Sequence, residues 1–160
     1  MPANPYMTGQ DRGDSHTEDP LLGFNFRLDV GGTVAGFFTE VSGIGSEHEV
    51  VEHKVVDEKG MEVIRKIPGR LKWGDVTLKR GITSDMEIWK WRDSVVAGKM
   101  SECRKNCTIT MMDRNYNVVA AWHFANAWPS KVTGPALKSD SNEFGVEEVV
   151  LVHEGTYRET

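Results

Sequence analysis

The stretch RLKWGDVTLKRGITSD, Arg70 to Asp85, carries large apolar residues first on one parity, Leu71 and Trp73, and then on the other, Val76 and Leu78. Successive side chains of a strand point to opposite faces, so a one-residue slip turns the buried set over. The slip falls at Gly74–Asp75, and the pattern predicts a bulge there that re-aims a single strand from one surface to another. Past Gly81 the period becomes helical. Ser84 followed by Glu87 has capping-box spacing. Met86, Ile88, Trp89, Arg92, Val95 and Val96 follow at helical intervals, and Gly98 supplies a C-terminal stop. The spacing predicts one α-helix over about 84–97, packed through Met86, Ile88, Trp89, Val95 and Val96. Trp91 lies elsewhere on the wheel, so this helix is either wrapped on two sides or touches a partner.

Outward from this stretch the chain reads as strands. FNFRLDV (Phe24–Val30) sets Phe24, Phe26, Leu28 and Val30 against Asn25, Arg27 and Asp29. Gly31–Gly32 supplies the positive φ angles of a two-residue hairpin, and Thr33–Val41 returns antiparallel. A long charged hairpin follows over about 47–67, with Asp57, Glu58, Lys59 and Gly60 at its tip. Glutamate and lysine are good helix formers, but the β-branched pairs Val50–Val51 and Val55–Val56 favour strand. Beyond the helix, CTITMM and YNVVAAWHFA form another hairpin around Asp113–Arg114–Asn115. NAWPSKVTGPALKSDSNEFG reads as an irregular connection, and VEEVVLVHEGTYRE as the final strand. Its inward set is either Val146, Glu148, Val150 and Val152 or the alternate set with Val149 and Leu151. The fold class is mainly β: an antiparallel β-barrel or two packed sheets with one peripheral helix and a projecting hairpin.

Composition restricts function. The 160 residues suit a single domain, taken as 20–160. Residues 1–19 carry four acids against Arg12, a sum of −3, within a net charge of −5. This proline-containing stretch reads as a flexible acidic arm without the basic and apolar regions of a signal peptide. No window reaches the roughly 20 apolar residues of a membrane helix, so the expectation is a cytoplasmic protein with no membrane anchor. Cys103 and Cys107 fit a reducing compartment. On one strand they are separated by about 13 Å, too far for a disulfide.

Catalytic motifs fail one by one. His48 and His53 in HEVVEH are five apart, not the four of a zinc-protease helix. The glycines of DVGGTVAG and GRLKWGD match no phosphate-cradling pattern, and Ser42 lacks the leading glycine of a nucleophile elbow. His123 lies in an alternating strand. The sequence offers no enzyme, metal or cofactor site. Its charge layout is more informative. Glu47–Glu58 sums to −4 and Arg65–Arg80 to +5. Opposite segments either neutralise each other within one chain or meet head-to-tail across copies, which produces rings or filaments.

The segments DPLLGFNFRLDVGG, AGFFTEVSGI, IPGRLKWGDVTLKRGIT, WKWRDSVVAGK and WHFANAWPSKVTGPALKSDSNEFGVEEVVLVHEG, in this order from about Asp19 to Glu154, resemble the tail-tube (inner tube) protein family of contractile-tail phages and phage-tail-like contractile injection systems. The resemblance implies a barrel or sandwich subunit that closes into hexameric rings stacked as a tube. A surrounding sheath drives that tube through a target envelope. Its implied partners are other copies, sheath, baseplate or spike and terminator proteins, and a luminal cargo, either effector protein or DNA. By this analogy the long hairpin makes inter-ring contacts, with Asp57, Glu58 and Lys59 at its tip and Arg65, Lys66, Arg70 and Lys72 as basic partners. Two other readings compete. A monomeric β-barrel would bind a small apolar ligand or flavin between Trp73, Trp122 and Trp128. A nucleic-acid module would use Arg65–Arg80, against the acidic balance of the chain.

Overall fold

The computed structural model describes residues 24–134 and 145–160; the acidic arm at 1–19 and most of the connection before the last strands lie outside them. Twelve elements follow in order: β1 (Asn25–Val30), β2 (Thr33–Phe38), β3 (Glu40–Ser42), β4 (Ser46–Val56), β5 (Glu62–Trp73), β6 (Val76–Gly81), α1 (Glu87–Val96), α2 (Met100–Cys103), β7 (Lys105–Met112), β8 (Val118–Thr133), β9 (Val146–Val152) and β10 (Gly155–Arg158).

Alternation builds the first hairpin. Val30 pairs with Thr33 across Gly31–Gly32, whose φ angles of 58° and 85° suit a turn that residues with a Cβ rarely enter. Leu28 is fully buried, with Phe26 and Val30 packed beside it in the core. The return strand then divides at Thr39. β2 pairs with β1, whereas β3 pairs with β6. Strands pair antiparallel in the order β2–β1–β7–β8–β9–β6–β3, with β10 added to β8. Only Thr39 separates the strands at the two ends of this order, and its N–H donates to the Lys79 carbonyl at 2.9 Å. The sheet therefore curls round until its ends meet. Its interior holds Leu28, Phe38, Val76, Leu78, Ile109, Phe124, Ala127, Val149 and Leu151.

Several expectations are corrected. Gly74–Asp75 is not a bulge within one strand but a break between two: β5 ends at Trp73 in the two-stranded β4–β5 sheet, and β6 begins at Val76 in the barrel. Parity changes there because the chain changes sheets. The helix starts at Glu87 rather than near 84 and has no side-chain cap of the capping-box kind. The Asp85 carboxylate instead accepts the Glu87 N–H at 3.0 Å. With that frame Ile88 and Trp91 are buried, Trp89 and Val95 are half-buried, and Met86 and Val96 face solvent. Trp91 donates Nε1–H to the Cys103 carbonyl at 2.7 Å, so α1 is wrapped on two sides by its own chain. Cys103 sits in α2, not in a strand beside Cys107. β8 runs through the stretch expected to be irregular, passing Asn126 (φ 47°) as it leaves β7 for β9, with a register shift at Pro129. In β9 the inward set is Glu147, Val149 and Leu151.

Candidate assembly surface

The β4–β5 hairpin is the feature this fold does not use internally. Its strands of 11 and 12 residues pair only with each other. Nearly every side chain along them is exposed, including Val50, Val51, Val56, Ile64 and Ile67. A lone two-stranded sheet is marginal in water, and long unpaired edges are templates for pairing with other chains.

Its root is anchored firmly. His153, between β9 and β10, places Nε2 2.9 Å from the Gly74 carbonyl, which can only accept, so that nitrogen carries the proton. The Trp73 ring lies 6.0 Å from the imidazole, and Phe124 meets the same ring edge-on at 4.9 Å. Two backbones cross at this point. A Cβ on Gly43, whose φ is 86°, would lie 2.1 Å from the Asp75 carbonyl oxygen. The Gly74 N–H donates to the Gly45 carbonyl at 2.9 Å.

The sequence-predicted contact residues separate once they are placed. Asp57 builds the tip: its Oδ1 accepts the N–H of Lys59 at 2.9 Å and of Met61 at 2.7 Å. Glu58 and Lys59 stand exposed beside it. Lys72 forms an ion pair with Glu49 at 3.0 Å near the root. Arg65 lies directly opposite His53, and Lys66 opposite Glu52, so these two bases occupy different faces of the hairpin.

Sequence reasoning missed a buried ionic cluster that fastens α1 to the barrel. Arg80, 3% exposed, donates Nε–H to Glu147 at 3.2 Å and Nη2–H to the Asp85 carbonyl at 3.3 Å, and its guanidinium lies 5.2 Å from the Phe38 ring centroid. Trp89 Nε1–H donates to the other Glu147 oxygen at 3.1 Å. The signal was present in parity: Arg80 shares its face with Val76 and Leu78, and Glu147 with Val149 and Leu151.

Little here suits a small ligand. Trp73 covers the hairpin root, while Trp122 and Trp128 pack against the core. An open cleft of about 480 Å³ between the Gly31 turn and α1 is lined by Trp91 and by charges of both signs, but by none of those three tryptophans. Among the described residues no group of His, Cys, Asp or Glu is placed to hold a metal, and no helix is long and apolar enough to cross a membrane.

Residues 22–157 match the model of the T4-like virus tail tube protein gp19 family. The chain belongs to that family. This tail tube protein is a structural inner-tube subunit of a phage tail or tail-like particle, and not an enzyme. Its fold is similar to that of a chain from the PVC sheath–tube complex, an extracellular contractile injection system in its extended state. The TM-score is 0.73 at 23% identity, over 94% of this chain and 98% of that one. A chain of the anti-feeding prophage tube-terminating cap aligns with TM-score 0.70 at 21% identity, over 96% and 98%. A type six secretion system protein shares the fold at TM-score 0.52 and 8% identity, over 85% and 83%. No curated protein matches by sequence.

Proposed function

We propose that this tail tube protein closes into homohexameric rings that stack into a hollow conduit. A contracting sheath drives that conduit through a target envelope. The observation that carries the reading is the β4–β5 hairpin, with both edges unpaired and its aliphatic side chains in solvent. In this reading other copies complete that surface. On the same reading the tip, with Glu58 and Lys59 exposed, meets the next ring, and repetition around the ring makes weak exposed pairs selective for register.

Sheath, baseplate or spike and terminator proteins are the further partners. The PVC and anti-feeding prophage relatives come from a sheath–tube complex, a sheath/tube terminator, a tube cap and a baseplate. Assembly takes place in the cytoplasm, and effector protein or DNA occupies the lumen. Negative-stain microscopy of the purified chain, with its light-scattering mass, tests the reading. Rings or stacked tubes with a central hole are expected. A single-subunit particle at every concentration, even with baseplate and sheath supplied, would overturn it.

A further inference from the structure

β10 lies off the main path of the sheet and, among the described residues, pairs with β8 alone. Together β9 and β10 run antiparallel along β8: Trp128 faces Val152 and Ala125 faces Gly155, with a break at His153–Glu154. The two halves are held differently. β9 buries Val149 and Leu151 in the core, and His153 is pinned to the Gly74 carbonyl and against Phe124. Beyond that pin Gly155 and Thr156 are half-buried, while Tyr157, Arg158 and Glu159 are exposed. Thr156 Oγ1 is nonetheless buried without a partner among the described residues, a cost that only the closed arrangement carries.

These residues grip β8 from both faces. On one, Tyr157 stacks on the His123 ring with centroids 4.9 Å apart, and the Glu159 carboxylate accepts the His123 Nε2–H. The Thr108 hydroxyl of β7 holds the other ring nitrogen at 3.0 Å, so the imidazole is fixed from both sides. On the other face the Arg158 guanidinium lies 5.8 Å from the Trp122 ring centroid. Backbone bonds bracket the grip: Glu154 N–H donates to the Ala125 carbonyl and Glu159 N–H to the Ala121 carbonyl, both at 2.9 Å. Exposed contacts of this kind are individually weak, and a segment held only by them belongs to the low-stability end of a fold. We propose that Gly155–Glu159 is a hinged strap: it swings open about His153 as one unit while β7, β8 and β9 stay paired, and His123 is the residue that latches it shut. Opening frees the β8 backbone at 121–125, whose donors and acceptors then stand unpaired as at any sheet edge. The strap makes that edge conditional. None of this depends on the tube reading, because every contact lies within one chain.

The strand geometry supplies its own control. The Ala121 and Ala125 carbonyls face the strap, so alternation turns the His123 N–H toward it as well, whereas the Trp122 and Phe124 N–H groups turn to β7. Hydrogen exchange of the full chain, read amide by amide and corrected for intrinsic rates, separates the two sets. In wild type, His123 is expected to exchange at least about tenfold faster than Trp122 and Phe124, the signature of a local opening. Glu159→Gln and Tyr157→Ala, both at exposed positions, should each speed His123 about threefold or more and leave Phe124 unchanged, as suits a weak ion pair and a single aromatic stack. Equal protection of His123 and Phe124 in wild type, or equal acceleration of both in the variants, means that the strap opens only with the barrel and overturns the proposal. A His123 rate that neither variant moves overturns it too, since the latch would then lie elsewhere.

Discussion

His153 and Gly74 are joined by a 2.9 Å hydrogen bond that ties the end of the barrel to the root of the projecting hairpin. The bond fixes the tautomer, because a carbonyl accepts only from a protonated Nε2. It leaves His153 Nδ1 buried without a partner. Among the described residues the hairpin strands pair only with each other, and this root ties them to the rest of the fold.

Removing that anchor should loosen the hairpin and spare the barrel. Trp73→Ala deletes the ring packed against His153 and Gly155. Hydrogen exchange in 46–56 and 62–73 is expected to accelerate markedly, with a global cost of only about 1–2 kcal/mol, since aromatic contacts of this kind contribute about 0.5–1.5 kcal/mol beyond area burial. Unchanged exchange in the hairpin would show that its order does not depend on this root. Gly43→Ala should act at the same place through backbone strain, because its φ of 86° and the 2.1 Å approach to Asp75 leave no room for a Cβ.

Much of this architecture was legible because period-two alternation and turn chemistry agree in the first hairpin. Phe26, Leu28 and Val30 share a face, and Gly31–Gly32 can enter the turn. Legibility fails where one residue serves against its type. Pro129 and Lys131 read as a loop, yet β8 accommodates them at a register shift where the proline needs no donor. The slip at Gly74 is real, but parity alone cannot distinguish a bulge from a change of sheet; that depends on which strand pairs on either side. Charged residues read as surface, which hid Arg80 and Glu147. The hairpin was visible as charged and projecting, but which of its faces holds Arg65 depends on the cross-strand register and the irregularity between His48 and Val50.

Arg80 and Glu147 should behave as a coupled buried pair. Taking either partner away strands the other in the core, a loss of about 3–5 kcal/mol. Arg80→Met and Glu147→Met are each expected to be strongly destabilising in urea unfolding, and the double variant less so than the sum. Additive costs would mean that the two side chains act separately, through Asp85 and Trp89, rather than on each other.

Cys107 makes alkaline pH a specific stress. Burial pushes its thiol from 9.0 up to about 12, with the Lys105 ammonium offsetting part of the shift. The folded chain keeps this proton where the unfolded chain releases it. The contribution is complete below pH 9.0 and is lost at about 1.4 kcal/mol per pH unit as pH rises toward the folded value. Urea midpoints measured from pH 8 to 11 should fall more steeply for wild type than for Cys107→Ala. At pH 8 the thiol should resist iodoacetamide until the protein is unfolded; prompt alkylation of the native protein would show that the site opens.

The hairpin tip offers the direct test of stacking, provided that the turn itself is preserved. Asp57 accepts two backbone N–H groups there, so reversing its charge would dismantle the tip and confuse a lost contact with a lost turn. Glu58 and Lys59 are exposed and take no part in those bonds through their side chains. Exchanging them, Glu58→Lys with Lys59→Glu, keeps the net charge and Asp57 while inverting the pattern offered to the next ring. Rings of normal mass without long tubes are expected under the proposed assembly, in which ring closure uses the flanks of the hairpin and stacking uses its end. Full-length tubes from this variant would remove the tip from the inter-ring contact, and loss of the rings themselves would place it inside the ring.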